Sequence, residues 1–325
     1  MLHAEPAWTY APRHALTIGD GRLHLLPEHV IGQWFCLDRK SGEPLWDRAA
    51  CQADDVVGVS EGVIVAREEW AQGPTSSCFG AFGISLQTGE LLWESHYDHP
   101  GRGRLWGRIL RLLPIAHRDY ALAVRGAECL TMRGRVLDIH TGEETRHESS
   151  PKSWPETAER EESPSYRLYR RQPVDCGQGR ILRHGTPEKP AKEGSFPDGT
   201  FRFFLNDASG SPQWTFDFAQ TGHFINGNYY SYRLAGAWIY MVVSDRPQRI
   251  PIDPARPAAK RKNPAQYFLW TLDLDTGQVC QQIRLSEEDV THCSIQDLDD
   301  GALLIRCDDR AMLYLRQGQR PGGEP

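Results

Sequence analysis

The chain has 325 residues, of which 39% are hydrophobic and 25% charged, with a formal net charge of -6 and an isoelectric point near 6.1. The acidic balance argues against a dedicated nucleic-acid-binding protein, because such proteins usually carry a basic domain. No apolar run approaches the ~20 residues that a membrane-spanning helix needs. The first residues, MLHAEPAWTYAPRH, lack the basic and apolar segments of an export signal. We therefore expect a cytoplasmic protein whose eight scattered cysteines are reduced.

The first predicted element is a strand within residues 4–11, AEPAWTYA. It resembles two strands further along the chain, EPLWDRA and SPQWTFD, each of which follows a Ser-Gly turn. No such turn precedes residues 4–11, so this strand has no hairpin partner next to it in the sequence. We expect it to pair with the last unit of the chain.

The elements that follow repeat one pattern: alternating apolar residues, a polar stretch ending in Ser-Gly or Thr-Gly, and a second short apolar run. Two copies are CLDRKSGEPLW from Cys36 and GISLQTGELLW from Gly83. The pattern indicates two antiparallel strands joined by a tight turn, where glycine adopts a positive φ and an acidic side chain bonds the turn's backbone. The turn glycines are Gly42, Gly89, Gly142, Gly210 and Gly277. The acidic residues expected at these turns are Asp38, Asp138, Asp207 and Asp275.

Three tryptophans, Trp46, Trp93 and Trp214, follow a turn glycine by four residues. At this position each indole can lie against a neighbouring unit. We therefore expect the three side chains to be mostly buried.

A glycine before a β-rich strand forms a second landmark in each unit. These glycines are Gly21, Gly62, Gly179, Gly236 and Gly301, and HRDYALAV from His117 is the copy without one. The last unit ends at Gly318 and lacks a final strand, which residues 4–11 can supply, while residues 319–325 form a tail. Such pairing of the termini closes a ring and removes exposed sheet edges. The sequence thus predicts one all-β domain over residues 1–318, a β-propeller of six four-stranded blades.

The repeated pattern resembles the PQQ-like repeat family, the β-propellers related to quinoprotein alcohol dehydrogenases. In that family a motif of the form aLdxxTGxxxW spans the third and fourth strands of each blade. The resemblance implies the propeller fold for nearly the whole chain. The quinoprotein enzymes resemble one another in an adjacent Cys-Cys pair that contacts the quinone, and no two cysteines are adjacent here. We therefore expect no quinone and no other cofactor.

Insertions lengthen the third to fifth units beyond the ~40 residues that a blade needs. They lie near residues 147–165, 185–199 and 246–264 and are rich in proline and charged residues. This composition predicts surface loops.

Patterns for catalysis and metal binding are missing from the sequence. The cysteines form no CxxC pair, the histidines form no HExxH motif, and GRGRLWG lacks the Lys-Ser/Thr of a phosphate loop. The acidic cluster at 297–300 adjoins a turn glycine and is expected to be a solvated loop. We assign no catalytic, cofactor-binding or metal-binding residue.

Three basic segments are candidates for binding an anion or an acidic segment of a partner. Two of them fall where the innermost strands of the third and fourth blades are expected, so their side chains could line a central channel. The third lies in the 246–264 insertion. The alternative for the first two is pairing with the chain's own surplus of Asp and Glu, and for the third a solvated loop. The candidates are Arg108, Arg111, Arg167, Arg170, Arg256, Lys260, Arg261 and Lys262.

Together these features predict a non-catalytic scaffold that binds protein partners through its loops and channel mouth, and that binds neither nucleic acid nor membranes. One alternative is an enzyme, or a protein that binds a small ligand or anion, with its site in the central channel. A second alternative is a periplasmic scaffold similar to outer-membrane assembly propellers.

Overall fold

Backbone hydrogen bonds between antiparallel strands account for nearly all regular structure in the computed structural model of this chain. The structure describes residues 1–11, 23–32, 35–47, 55–72, 75–95, 119–149, 173–185, 202–225, 231–246, 264–299 and 301–317. This part of the chain forms 25 strands and a short 3-10 helix (Phe218–Gln220), without an α-helix. The all-β prediction is therefore confirmed. None of the described helical structure is long and apolar enough to cross a membrane. Strands are numbered in chain order, beginning with β1 (Trp8–Tyr10).

The described residues from 23 to 149 form a first unit of three sheets, each with four strands in chain order. Sheet 1 contains β2 (His24–Leu25), β3 (His29–Ile31), β4 (Phe35–Asp38) and β5 (Pro44–Asp47). Sheet 2 contains β6 (Asp55–Ser60), β7 (Val63–Gln72), β8 (Thr75–Ser85) and β9 (Leu91–Ser95). Sheet 3 contains β10 (Ala121–Arg125), β11 (Glu128–Thr131), β12 (Arg135–Asp138) and β13 (Glu144–His147).

A second unit combines residues 1–11 with the described residues from 173 onwards, again in three sheets. Sheet 4 contains β14 (Val174–Asp175), β15 (Ile181–His184), β16 (Arg202–Asn206) and β17 (Pro212–Asp217). Sheet 5 contains β18 (Phe224–Ile225), β19 (Tyr232–Ala235), β20 (Trp238–Ser244), β21 (Tyr267–Asp273) and β22 (Val279–Arg284). Sheet 6 contains β23 (Cys293–Leu298), β24 (Ala302–Cys307), β25 (Arg310–Leu315) and β1.

Six antiparallel sheets, each built on four strand positions, are consistent with a β-propeller. Sheet 5 differs from the four-stranded expectation because its first position is divided between two strands. β18 pairs with the end of β20 at Val243 and Ser244, whereas β19 pairs with residues 238–241 of the same edge.

The two ends of the chain meet in sheet 6, where β1 pairs with β25 and Trp8 lies opposite Leu313. The preceding segment is held by Gln281 on β22. The Gln281 side chain accepts a hydrogen bond from the Leu2 N–H (3.0 Å) and donates one to the Leu2 carbonyl (2.7 Å). The Leu2 side chain is completely buried among residues of sheets 5 and 6.

The Ser/Thr-Gly turns join the third and fourth strand positions of sheets 1 to 5, which in sheet 5 are β21 and β22. Their glycines have a φ between 68° and 86°. In sheet 3, Asp138 accepts hydrogen bonds from the backbone N–H groups of His140 and Thr141, each at 2.9 Å. The equivalent acceptor in sheet 5 is Asp273, so the prediction of Asp275 for this role is wrong. Asp273 precedes its glycine by four residues, as Asp138 does, whereas Asp275 is too close to the glycine to fold back onto the turn.

The second landmark glycines lie between the first and second strands of their sheets, at Gly62, Gly179, Gly236 and, in the last sheet, residue 301. One assignment made from sequence is wrong: sheet 3 does have such a glycine, Gly126, between β10 and β11, and HRDYALAV leads into β10. In sheet 1 the strand that follows Gly21 is the first strand, β2, and the turn after it contains Pro27 and Glu28 instead of glycine.

In sheets 1 to 5 the fourth strand carries a β-bulge one residue before the Trp position. In sheets 1 and 2 the bulged residues are Leu45 and Leu92, whose neighbours Trp46 and Trp93 pair with Cys36 and Gly83. A bulge twists an edge strand and makes it a poor template for pairing with another chain. The bulge also turns the extra side chain outwards, and Leu45 and Leu92 are about half exposed as a result.

Candidate functional site

The eight basic residues predicted to bind a partner all lie outside the described residues. Arg256, Lys260, Arg261 and Lys262 belong to the 246–264 insertion, and the structure describes both ends of that insertion. The candidate site is therefore built from the residues that hold these ends. We call residues 244–246, 264–267 and 289–292 the insertion base.

The insertion leaves sheet 5 at the end of β20 and returns at the start of β21. Because β20 and β21 are paired along their full length, their adjoining ends lie side by side. The Asp245 N–H donates to the Gln266 carbonyl at 3.1 Å, and the Gln266 N–H donates to Asp245 Oδ1 at 3.0 Å. These two bonds continue the ladder one residue beyond the strands and bring both ends of the insertion together.

Arg246 makes a second set of contacts across the two ends. Its Nη1 donates to the Pro264 carbonyl at 3.0 Å and lies 3.2 Å from Asp289 Oδ2. Its own carbonyl accepts a hydrogen bond from the Ser244 hydroxyl at 2.8 Å. The Arg246 side chain is half exposed, so the ion pair with Asp289 contributes at most about 1 kcal/mol. Together these contacts hold Arg246, the first residue of the insertion, beside Pro264, the last.

The connection between β22 and β23 contacts residues 265 and 267, where the insertion returns to sheet 5. Ala265 and Val290 exchange both backbone hydrogen bonds, at 2.9 and 3.0 Å. The Tyr267 hydroxyl donates to the Thr291 carbonyl at 3.4 Å. Burial and the nearby carboxylates of Asp308 and Asp245 raise the pKa of Tyr267, so this hydroxyl stays protonated and keeps its donor. The insertion base is thus tied to sheet 6 as well as to sheet 5.

Asp308 joins this connection to the turn between β24 and β25. Its carboxylate accepts hydrogen bonds from the Thr291 N–H, the Thr291 hydroxyl (2.5 Å) and the His292 N–H (2.9 Å). Its own N–H donates to the His292 carbonyl at 2.8 Å. Burial, with the nearby Arg306 guanidinium, lowers the pKa of His292, while Asp308 partly opposes this shift. The imidazole is therefore neutral at pH 7.

Groups that could perform nucleophilic or metal chemistry are few in the described structure. Burial raises the pKa of Cys36 and of Cys129 to about 12, so neither thiol ionises at neutral pH. No group of three or more His, Cys, Asp or Glu side chains within the described ranges could hold a metal ion. Cys293 and Cys307 form a disulfide, so the expectation of reduced cysteines is wrong for this pair.

Sequence reasoning missed most of the insertion base and the Asp308 carboxylate that contacts it. Arg246 belongs to the predicted insertion, but Asp245, Asp289 and Asp308 were not singled out. Only the Asp-Asp pair at 308–309, which follows a buried apolar run, gives a usable signal, because Asp is frequent in turns. The structure also places a buried arginine, Arg233, on β19, where its guanidinium donates to the carbonyls of Tyr232 and Ile295 at 3.0 and 3.3 Å. It thereby links the first strands of sheets 5 and 6.

Comparison with known proteins shows no matching protein-family model and no matching curated protein. The solved structures to which the chain is similar include the following three. BamB from Moraxella catarrhalis is 10% identical, covers 97% of this chain and 100% of its own, and has a TM-score of 0.34. A europium-containing methanol dehydrogenase is 14% identical with a TM-score of 0.27, and the alignment covers 87% of this chain but only 55% of the dehydrogenase. The computationally designed Ika8 protein is 11% identical, covers 94% of this chain and 100% of its own, and has a TM-score of 0.27. At these levels the similarities carry no argument about activity or partners.

Proposed function

We propose that the protein is a non-catalytic scaffold that binds a protein partner through its inserted loops, above all through the 246–264 insertion. The observation that carries this proposal is the insertion base, where Asp245, Arg246, Gln266 and the 289–292 connection hold both ends of the insertion. We further propose that the six sheets form one closed propeller similar to the PQQ-like repeat family, whose rigid frame fixes the positions of its loops.

The sequence of the insertion supports binding to an acidic segment of the partner. Prolines at 247, 251, 254 and 257 restrict its backbone and so reduce the entropy that binding would cost. One acidic residue, Asp253, stands among several basic ones. The basic residues between the two described ends are Arg249, Arg256, Lys260, Arg261 and Lys262. Because the whole chain is acidic, this concentration of positive charge offers a local site for an acidic partner.

The test compares wild-type protein with the variant Arg256→Ser, Lys260→Ser, Arg261→Ser and Lys262→Ser. Each protein is immobilised, exposed to cell extract at 50 mM and 300 mM salt, and its bound proteins are quantified by mass spectrometry. The variant should lose at least one partner that wild type retains, and the loss should be largest at low salt because exposed charges are screened at high salt. A fluorescent poly-glutamate peptide provides a defined probe for the same comparison.

A matched control removes four positive charges elsewhere on the surface. Lys40, Arg125, Arg183 and Arg310 are exposed, and changing them to Ser lowers the net charge by the same amount. This control should retain the partners that the insertion variant loses. Identical binding by all three proteins would contradict the proposal, and equal loss by both variants would assign the effect to net charge alone.

The enzymatic alternative is not favoured by the described chemistry. A nucleophilic cysteine needs a lowered thiol pKa, whereas the thiol pKa values of Cys36, Cys129, Cys176 and Cys280 are all raised, chiefly by burial. The guanidinium of the buried Arg233 donates hydrogen bonds to backbone carbonyls. These N–H groups are therefore already used and do not offer a site for an anionic substrate.

Cellular location is a separate part of the proposal. We propose the cytoplasm, whereas the Cys293–Cys307 disulfide favours the second alternative, a scaffold in an oxidising compartment. Fractionation of cells that express the full chain distinguishes the two, with recovery in the periplasmic fraction contradicting the cytoplasmic proposal.

A further inference from the structure

The Cys293–Cys307 disulfide lies at one end of sheet 6, next to the insertion base. Cys293 is the first residue of β23 and Cys307 the last residue of β24, and the two face each other in the register of the pair. Their Cα atoms are 4.2 Å apart, and both side chains are buried. The bond therefore links β23 and β24 at the last pair of residues in their ladder.

The residues immediately beyond the disulfide carry the contact to the insertion base. Asp308 follows Cys307 directly, and its carboxylate holds Thr291 and His292, the two residues before Cys293. The next residue towards the N-terminus, Val290, exchanges backbone hydrogen bonds with Ala265. A short series of adjacent contacts thus runs from the disulfide to the end of the insertion.

We propose that Cys293 and Cys307 are a redox modification site that controls how firmly the insertion base is held. With the disulfide formed, residues 291–293 and 307–308 stay together, and the Asp308 carboxylate keeps the hydrogen bonds from its three donor groups. With the disulfide reduced, this end of the strand pair opens more often, because a link between segments 14 residues apart no longer limits the open state. The regulatory meaning of this site rests on the proposed binding role of the insertion.

The chemistry is thiol–disulfide exchange with a dithiol reductant. One thiolate of the dithiol attacks a sulfur of the Cys293–Cys307 bond, which breaks, and a mixed disulfide forms. The second thiol of the reductant then displaces the first cysteine. Two protons and two electrons pass to the protein, which gains two Cys thiols, while the reductant becomes a disulfide. Because both sulfurs are buried, the reductant reaches them only when the strand ends open transiently.

Hydrogen exchange of the full chain, measured by mass spectrometry with and without dithiothreitol, tests the proposal. The reporters are the backbone amides of Ala265, Gln266, Val290, Thr291 and His292, which donate hydrogen bonds within the insertion base or to Asp308. Reduction should speed their exchange by about tenfold. The amides of Thr276 and Gly277, in the turn at the opposite end of sheet 5, are the internal control and should not change.

Two variants sharpen the result. Cys293→Ser combined with Cys307→Ser should show fast exchange at the insertion base and no response to dithiothreitol. Asp308→Asn keeps a residue type that tolerates the positive φ of 50° at this position but weakens the acceptor, so it should speed exchange in the oxidised protein and reduce the further effect of reduction.

Several outcomes would overturn the proposal. Alkylation of both cysteines in unfolded, unreduced protein would show that the disulfide does not form. Unchanged exchange at the insertion base after reduction, or an equal increase at Thr276 and Gly277, would show that the bond has no local effect. These measurements need no partner, so their failure is distinct from failure of the binding test above.

Discussion

The indole of Trp214 lies directly against Gly277 of the next sheet, so that a methyl group at residue 277 would come within 2.5 Å of the ring. The Trp214 Nε1 donates to the Leu274 carbonyl, three residues before that glycine, at 2.9 Å. The same arrangement joins Trp46 to Gly89 and Leu86, and Trp93 to Gly142 and Ile139. Each tryptophan therefore attaches one sheet to the turn of its successor. The glycine is needed both for its positive φ and for the space that it leaves to the ring.

Gly277→Ala should destabilise the protein more than Gly210→Ala. Both glycines have a positive φ, 68° and 86°, so each substitution costs about 1–2 kcal/mol of backbone strain. Among the described atoms, nothing lies within 4 Å of a methyl group at residue 210, whereas one at residue 277 displaces the indole and adds about 1–3 kcal/mol. Urea unfolding of the two variants measures the difference.

A double mutant separates strain from packing. In a Trp214→Ala background the ring is absent, so Gly277→Ala should cost only as much as Gly210→Ala. Trp214→Ala alone should lower the free energy of unfolding by roughly 3–5 kcal/mol. Equal costs for Gly277→Ala with and without the indole would show that the contact contributes nothing.

The N-terminal strand should be essential for stability. Removal of residues 1–11 leaves one edge of β25 unpaired and exposes the apolar side chains that contact Leu2. Loss of several kcal/mol is expected from the exposed apolar area. A truncated protein with an unchanged melting temperature would disprove this role.

A smaller change tests the contact between Gln281 and Leu2. Gln281→Ala removes a donor and an acceptor at once and leaves the Leu2 backbone without these partners, which should cost about 1–3 kcal/mol. Gln282→Ala removes a neighbouring exposed amide from the same strand and should change stability by less than about 0.5 kcal/mol. Thermal unfolding of the two variants gives the comparison.

Acid should weaken the turns through their aspartates. The Ser41 N–H and the Ser41 hydroxyl both donate hydrogen bonds to the Asp38 carboxylate. These bonds, the N–H having the larger effect, lower the pKa of the Asp38 carboxyl in the folded protein. A carboxyl whose pKa is lower when folded stabilises the protein at pH values above its unfolded pKa of about 3.9, and this contribution is lost as the pH falls through the folded pKa.

Asp38→Asn should therefore make unfolding less sensitive to pH below about pH 4, while slightly lowering stability at pH 7. The urea midpoint measured from pH 7 to pH 2 provides the readout. Glu43→Gln changes the same charge within the same turn, where Glu43 takes part through its backbone, and serves as the control. An identical pH profile for wild type and Asp38→Asn would contradict the prediction.

Alkylation should distinguish the free cysteines by burial. With a pKa of about 12, the Cys36 and Cys129 thiols are almost entirely un-ionised at pH 8, and both are shielded from reagent. Among the free cysteines whose burial the structure describes, Cys280 is the exposed one and should react first with iodoacetamide. Mass spectrometry of the intact and digested protein follows the order of labelling. Early labelling of Cys129 in the folded protein would show that sheet 3 opens readily.

The sequence alone determined the strand content and the repeated hairpins of this protein. Both depend on local chemistry: alternating apolar residues define the strands, and glycine with a preceding Asp or Ser defines the turns. The same local reasoning failed where two residues of one type compete within a few positions. Asp273 and Asp275 are indistinguishable by composition, and only the geometry of the turn decides which carboxylate reaches the backbone.

Apart from the pairing of residues 4–11 with the last unit, tertiary structure decided which distant segments meet. The pairing of Trp214 with Gly277, the hold of Gln281 on Leu2 and the contacts of Asp308 with Thr291 join residues that periodicity cannot relate. The hydrophobic effect favours burial without specifying a partner, so register and packing select the neighbour only once the sheets have formed. The insertion base follows the same rule, because the adjoining ends of β20, β21 and the 289–292 connection place together residues that are separated by more than forty positions in the sequence.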